Sequence, residues 1–370
     1  MLILRRVAAI LFLAVAFPYL LAPAYRFPPP RTFAGPALWN PYAHSSGTWQ
    51  RANLHAHGHA WNGLTNGTHT DDEVVEAYRK RGYSVAGVSD YHWIAAQHGV
   101  PTMPLYEHGY NISKEHQLAI GARRVEWLDF PLWTGRHQKQ FILYRVARTA
   151  DLVAINHPGT AYTEDDLRDL TGYQLMEVVN GPFGFEDLWD AALSSGHAIW
   201  GIANDDIHDL TDVRRMSVAW NMIDAPSPDT PDIVAALRNG RTYAVSIVGE
   251  KADAALTGVE VRDGSLTVSS SGVPATFLFI GQRGAVRKTA DQVTRATYQL
   301  GAQDTYIRTV IRTPNMVMYL NPIIRFDGVS LPASTTTVNE PLTWLQRTVI
   351  VVVGLVVPLA LWRRSTVARP

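Results

Sequence analysis

Short apolar segments that each end in polar residues recur through one part of this chain. VAGVSDY, LVAINHP, YQLMEVVN and AIWGIAND are such segments between residues 51 and 205, and helix-like stretches such as DEVVEAYRKRG and FEDLWDAALSSG lie among them. This alternation predicts βα units built on a parallel sheet or barrel. Because α/β folds bind ligands at the carboxyl ends of their strands, we expect the polar residues to converge there.

The pattern changes beyond Tyr243, where GSLTVSSS, ATFLFIGQ and TYIRTVIR alternate apolar and polar residues. Such segments predict an all-β module. A chain of 370 residues has room for about two domains. We therefore predict an α/β domain over residues 51–245 and a small β-sandwich-like domain over residues 246–335, preceded by a proline-rich linker over residues 26–50.

Both ends of the chain are apolar. Residues 1–25 contain VAAILFLAVAFPYLLAPA behind Arg5 and Arg6, which predicts a signal-anchor helix or a cleavable signal peptide. Residues 342–362 predict a transmembrane helix, and residues 363–370 a cytoplasmic tail. The flanking arginines follow the positive-inside rule, so we expect a membrane protein whose catalytic domain lies on the extracytoplasmic side, periplasmic or extracellular.

The composition limits the chemistry of a site. The 33 basic residues balance 33 acidic ones, so there is no positive excess that would favour nucleic acid as a partner. Cysteine is absent, and all 13 histidines lie between His44 and His208. A metal would therefore be bound by imidazole and carboxylate, a ligand set that suits zinc, manganese or iron better than calcium. His55 and His57 are two residues apart, so on an extended strand both can face one ion.

The order of several motifs resembles a known superfamily. N-L-H-x-H, an aspartate after G-Y-x-V, a glutamate followed by histidine, N-H-P and D-x-H occur in that order between residues 51 and 245. This set resembles the polymerase and histidinol phosphatase (PHP) superfamily. TYIRTVIR and YLNPIIR resemble the carbaryl-hydrolase (CehA/McbA-like) group within it. The resemblance implies a distorted (β/α)7 TIM-like barrel that holds two or three divalent metal ions at the carboxyl ends of its strands.

The resemblance also implies a ligand set. The first ion would be held by His55, His57, Glu107 and Asp206. The second would be held by Glu107, His116 and His157, so that Glu107 bridges the two. Tyr91 and Asn66 stand where the family usually has a histidine and an aspartate, and this leaves His208 without two partners for a third ion. We expect a binuclear centre unless His59, His69 or His92 is recruited.

Further roles are assigned around this centre. Asp90 would orient a ligand imidazole by accepting a hydrogen bond from the ring N–H that does not face the metal. His208 or His92 would supply a proton to the leaving group. Arg214 and Arg215 would clamp an anionic oxygen, or would be solvated surface residues.

Three functions remain open at this stage. The first is a phosphoesterase that uses a metal-activated water. The second is a carboxylester or carbamate hydrolase with the same metal centre, and the third is a non-catalytic, metal-containing envelope binding module. The substrate would be a small-molecule or a lipid- or glycan-linked ester, and the terminal helices would contact a membrane.

Overall fold

The computed structural model describes residues 2–249 and 251–363, and it is a mixed α/β structure. Its helices are α1 (Leu2–Leu21), α2 (Asp71–Lys80), α3 (Arg136–Ala147), α4 (Glu164–Asp169), α5 (Glu186–Ser194), α6 (Thr230–Arg238) and α7 (Glu340–Arg363).

The strands follow the alternation expected from the sequence, with additional short pieces. They are β1 (Tyr25–Arg26), β2 (Ala37–Trp39), β3 (Trp49–Asn53), β4 (Val85–Ala86), β5 (Leu105–His108), β6 (Gln117–Ile120), β7 (Leu152–Ile155), β8 (Leu175–Asn180), β9 (Phe183–Gly184), β10 (Trp200–Asn204), β11 (Ala219–Asp224), β12 (Thr242–Ile247), β13 (Ala254–Arg262), β14 (Ser265–Gly272), β15 (Ala275–Gly281), β16 (Ala285–Val293), β17 (Arg295–Gln299), β18 (Tyr306–Arg312), β19 (Met316–Phe326) and β20 (Thr337–Val338).

Helix α2 shows how the local sequence sets an element. The Thr70 hydroxyl accepts a hydrogen bond from the Glu73 backbone N–H, and the Glu73 carboxylate accepts one from the Thr70 backbone N–H. This capping box satisfies two donors at the helix start. One face of the helix buries Val74, Val75 and Tyr78 against the sheet. The helix thereby supports the strand ends on either side of it.

One sheet carries most of the predicted α/β strands, in the order β10-β8-β7-β6-β5. Strands β10, β8 and β7 run parallel, whereas β6 runs antiparallel to both β7 and β5. Every residue of β5, β6, β7, β8 and β10 is buried. Burial on both faces explains why these segments are almost continuously apolar.

A second sheet runs through both parts of the chain, in the order β16-β15-β18-β19-β12-β11-β3-β4. Strand β12 pairs antiparallel with β19 over five residue pairs, from Tyr243 with Leu320 to Ile247 with Met316. A smaller sheet, β13-β14-β17, accompanies the carboxyl-terminal strands. The domain division near residue 246 stays a prediction, and a continuous sheet crosses that position.

The predicted closed (β/α)7 barrel is wrong for the described part of the chain, because its two large sheets do not join in a closed ladder. The sheets meet at single bridges, Ala56 with Ile207 and Tyr91 with Glu107. Between β3 and β10, asparagine side chains replace strand-to-strand bonds: Leu54 N donates to Asn204 Oδ1 at 2.7 Å, and Asp205 N donates to Asn53 Oδ1 at 2.9 Å. The antiparallel strand β6 also interrupts the parallel order that a barrel of this kind requires.

Helices α1 and α7 lie together at one end of the molecule. Arg347 Nε donates to the Leu20 carbonyl at 3.0 Å, and the Tyr19 ring stacks on Trp133 with centroids 4.6 Å apart. Within the residues that the structure describes, neither of these helices nor any other has the combined length and apolarity needed to cross a membrane. This finding contradicts the predicted membrane localisation with an extracytoplasmic catalytic domain. The predicted tail from residue 364 onward lies outside the described residues.

Candidate metal centre

The predicted ligands come from the ends of separate strands, and these ends meet at one place. His55 and His57 follow β3, Glu107 lies in β5, His157 follows β7 and Asp206 follows β10. His116 immediately precedes β6. Because β6 is antiparallel to β5 and β7, its beginning lies beside their ends. A histidine before a strand and a histidine after a strand therefore reach the same place.

Glu107 lies at the middle of this group and is fully buried. Its Oε1 is 3.1 Å from His116 Nδ1 and 3.2 Å from His157 Nε2. Its Oε2 is 3.1 Å from His57 Nε2. One carboxylate thus contacts imidazoles on two sides.

Asp206 contacts the group from the opposite strand end. Its Oδ1 lies 3.2 Å from His55 Nε2, 3.3 Å from His57 Nε2 and 3.3 Å from His208 Nε2. The His55 and His57 Nε2 atoms are only 3.1 Å apart. Two imidazole nitrogens at this separation point toward a common position.

The arrangement suits metal ions better than hydrogen bonding. Two buried atoms at its centre have no hydrogen-bond partner despite their close contacts: Glu107 Oε2 and His116 Nδ1. Carboxylate oxygens and imidazole nitrogens that converge without hydrogen bonds are suited to share a cation. Four overlapping groups have ligand atoms within 4.8 Å of one another: His55, His57 and Glu107; His55, His157 and Asp206; His57, Asp206 and His208; and Glu107, His116 and His157.

The electrostatic state of the group matches this geometry. Burial alone would raise the pKa of Glu107, but the charges of His55 and His116 hold the pKa well below its usual range. His55 likewise holds down the pKa of Asp206 against the effect of burial. Burial opposes charge on His57, yet the carboxylates of Asp206 and Glu107 beside it raise its pKa to about 9. Positive charge is therefore favoured at the place where the carboxylates converge.

Two of the ligand residues have strained backbones. Asp206 has a φ of 50° and His157 a φ of 25°. Left-handed backbone of this kind is uncommon for residues with a side chain and often occurs at functional sites. In both cases the residue is the second after a buried strand, where the strained backbone turns the side chain inward.

A further carboxylate, Glu177 in β8, supports the ligands from behind. Its Oε1 accepts from His55 Nδ1 at 2.8 Å, and its Oε2 accepts from the His157 backbone N–H at 2.7 Å. Asn180 and Asn204 donate to the same carboxylate. This position was not predicted. Its signal was an acidic residue inside the otherwise apolar run LMEVV, which reads as a strand interior.

Asn156 supports Glu107 in the same way, since its Nδ2 donates to Glu107 Oε1 at 2.8 Å. Asp90 lies behind His57, with Oδ1 at 3.9 Å from His57 Nδ1 and at 2.7 Å from the Gly58 backbone N–H that donates to it. The distance to the imidazole is longer than a hydrogen bond. Asp90 is thus placed near the predicted ligand but is bonded to backbone.

The structure does not bring His92 to the centre. Its Nδ1 donates to the Glu126 carbonyl at 3.0 Å, and its Nε2 accepts from the Gly109 N–H at 3.0 Å. Burial lowers the pKa of His92 to about 3, so the ring is neutral. With both nitrogens bonded to backbone, His92 has no atom free to protonate a leaving group, and that predicted role does not fit the structure.

Asp205 and Asp206 have separate roles in the structure. Asp205 accepts from the Tyr78 hydroxyl and from the backbone of residues 217–219, whereas Asp206 faces the histidines. The predicted arginines also differ. Arg214 pairs with Asp212 and its side chain is 86% exposed. Arg215 turns inward, and its Nη1 donates to the Asp205 carbonyl at 3.2 Å.

Tyr91 occupies the place beside the ligands where the resemblance would have a histidine. Its ring stacks on His57 at 4.6 Å between centroids and meets His116 edge-on at 5.4 Å. The His208 ring also stacks on the His57 ring, with 4.2 Å between their centroids. His59 and His69 belong to none of the four ligand groups found among the described residues.

Comparison with known proteins gives a sparse result. No family model matches the chain, and no curated protein matches it. Among solved structures, a two-domain protein from Bacteroides vulgatus that contains a predicted PHP-like metal-dependent phosphoesterase aligns with 16% identity and a TM-score of 0.44, over 84% of this chain and 98% of that chain. A match at this level assigns neither family nor activity to the chain. The finer resemblance to the carbaryl-hydrolase group has no support from these comparisons.

Proposed function

We propose that the protein is a metal-dependent phosphoesterase with a binuclear centre of zinc, manganese or iron. The observation that carries this proposal is the position of Glu107, whose two carboxylate oxygens contact different histidines. A carboxylate in such a position can bridge two cations. Paired cations are a recurrent arrangement in phosphatases and nucleases.

The donor atoms divide naturally into two sets. An imidazole nitrogen has one lone pair and therefore serves one ion. The Nε2 atoms of His55 and His57 are 3.1 Å apart, so we assign both to one ion, together with Asp206 and Glu107. Glu107 Oε2 contacts His57, and Glu107 Oε1 contacts His55. His116 and His157 remain for the second ion, together with Glu107 Oε1. This proposed division follows the ligand sets that the family resemblance implies.

When bound, such ions supply a water of lowered pKa and neutralise charge on phosphoryl oxygens. The protein residues provide the other parts of the reaction. Arg215, bonded beside Asp206, can hold an anionic oxygen through its guanidinium. His208, whose partly exposed ring lies beside Asp206, can exchange a proton with the leaving oxygen. Glu177 and Asn156 keep His55 and Glu107 in their orientations.

The partial exposure of the centre favours a catalytic over a structural role. The side chains of Asp206 and His208 are 14% and 28% exposed, whereas those of His55 and Glu107 are inaccessible. Catalytic metal sites keep a position open for water or substrate, and structural sites are closed by protein ligands. This accessible side supports a hydrolase over a non-catalytic binding module.

The test uses metal-reconstituted protein on a panel of phosphate monoesters, phosphate diesters, carboxylesters and carbamates. We expect phosphate turnover, and a fall of about 10³-fold in Glu107→Gln and His57→Ala, since each loses several kcal/mol of transition-state stabilisation. His197→Gln is the matched control, because that buried histidine bonds the Arg168 carbonyl away from the centre. Full activity in Glu107→Gln would refute the binuclear proposal, and turnover confined to carboxylesters or carbamates would replace the phosphoesterase.

A further inference from the structure

Three exposed aromatic residues lie close to one another near the candidate metal centre, and we call this set the aromatic wall: Trp61, Tyr110 and Trp127. They are 39%, 52% and 57% exposed, respectively. The rings of Trp61 and Trp127 lie 5.8 Å apart. Large apolar side chains that remain exposed side by side commonly mark a binding surface.

The aromatic wall is linked to the centre through Tyr91 and Gly109. Trp61 Nε1 donates to the Tyr91 carbonyl at 2.9 Å, and the Tyr91 ring in turn stacks on the ligand His57. Tyr110 follows Gly109, where an added Cβ would lie 2.4 Å from His116 Cδ2. The wall is therefore one residue away from a predicted ligand of each ion.

His92 holds the aromatic wall in place. Its two hydrogen bonds join the backbone at Glu126 to the backbone at Gly109, the positions that precede Trp127 and Tyr110. Its ring packs against Trp127 at 5.5 Å and against Tyr110 at 5.4 Å between centroids. A wall supported from behind in this way exists before any ligand binds, which lowers the ordering cost of binding.

We infer that the aromatic wall binds the face of a ring, aryl or sugar, in the substrate next to the ester that the metal centre cleaves. The inference rests on the proposed function. Rigid aromatic faces give their largest stacking contacts with the face of another ring, and a flexible alkyl chain would lose much of that contact. The wall residues are uncharged, so they complement the part of the substrate that carries no phosphate.

The first test compares KM for three phosphate monoesters: phenyl phosphate, glucose 1-phosphate and butyl phosphate. We expect at least one ring-bearing ester to show a KM about tenfold below that of butyl phosphate, the size expected for one aromatic contact. The phenyl and glucosyl arms identify which kind of ring is bound. Trp127→Ala should remove the difference, and Trp127→Phe should retain part of it.

The chain offers a matched control in Trp133. It belongs to the same connection between β6 and α3 and is 60% exposed, but it stacks on Tyr19 of α1. Trp133→Ala should therefore keep the preference for rings. Equal KM values for all three esters in the unaltered protein, or a preference that survives Trp127→Ala unchanged, would overturn the inference while leaving the phosphoesterase in place.

A second measurement separates this inference from the proposed function. If no phosphate ester is turned over, the proposed function fails, and binding of phenylphosphonate, glucose and butylphosphonate to the metal-loaded protein is then measured by calorimetry. Ring compounds that bind the unaltered protein about tenfold more tightly than Trp127→Ala would still support the wall. Ring affinities that are equal in the two proteins would refute it.

Discussion

The protein contains two clusters of buried ionisable side chains that differ in bonding. In one, Arg308 joins α5 to β18: its Nε and Nη2 donate to Asp190 at 2.8 and 2.6 Å, and its Nη1 donates to Glu186 at 2.8 Å. Every one of these contacts is a charge-assisted hydrogen bond. In the candidate metal centre, Glu107 Oε2 and His116 Nδ1 are equally buried and have no such partner.

This difference separates a structural ion pair from a site that awaits a ligand. A buried charge is stable only when its partners satisfy it. The Arg308 cluster contains its own counter-charges, so it needs nothing else. In the metal centre the acceptor atoms converge, and their charge is balanced only by a proton or a cation from outside the cluster. The two clusters should consequently respond to different perturbations.

The largest expected effect is on the Arg308 cluster. Arg308→Met leaves Asp190 as an uncompensated buried charge, and we expect the free energy of unfolding to fall by about 3–5 kcal/mol. Urea denaturation measures this change. Arg312→Ala is the control, since its side chain is 51% exposed and 3.5 Å from Glu186, and we expect about 0–1 kcal/mol there. Equal losses in both variants would contradict the assignment of Arg308 as a structural lock.

Metal addition should affect only the other cluster. A cation that binds the folded state alone, at a free concentration of 100 times its Kd, stabilises the protein by about 2.7 kcal/mol. We expect chelated protein to melt at a lower temperature than protein with zinc or manganese restored. The same increment should appear in Arg308→Met, provided that this variant folds. A melting temperature that changes with neither the chelator nor the metal would argue against any ion at the centre.

A smaller effect, on metal affinity, is expected for Glu177, which holds the ligand His55 in place. Glu177→Gln keeps the shape of the side chain but loses the charge that orients His55, and metal affinity should fall by about 10–100-fold. Competition with a chromophoric chelator measures this affinity. Glu186→Gln, in the Arg308 cluster, is the matched control and should bind metal as the unaltered protein does. Similar affinities in the two variants would show that Glu177 is not a support.

The smallest effect is a dependence on pH. In the metal-free protein the pKa of His57 is raised to about 9, above the usual value of about 6.5. The stabilisation from this proton is therefore full below about pH 6.5 and is lost as the pH rises through about 9. Metal binding displaces the proton, so the difference in melting temperature between metal-loaded and chelated protein should widen over that range. A constant difference would contradict the assignment of His57 as a ligand.

Several features could be predicted from the sequence because their signals are local. The stretch DEVVEAYRKRG predicts a helix from its own residues, and the structure confirms it as α2. The spacing of His55 and His57 and the order of the later polar residues indicated convergence, and the structure brings those residues together. Their role as metal ligands remains a prediction.

Other features depend on long-range pairing. The antiparallel placement of β6 between β5 and β7 cannot be read from QLAI, which fits either direction, and so the closed barrel was wrong. The support by Glu177 was missed because its partners His55 and Asn204 are distant in the chain. The membrane prediction was wrong because the apolar composition of the two terminal segments is not sufficient for a membrane span.

The ladder between β12 and β19 also restricts how the molecule can move. A hinge between the α/β strands and the carboxyl-terminal strands would have to tear five paired residues of a continuous sheet. Domain closure over a ligand, as seen in proteins whose halves are joined by flexible connections, is therefore closed to this architecture. Any gating must come from the loops at the strand ends. Access to the centre would then be controlled by movements of a few loop residues, while the sheet stays rigid.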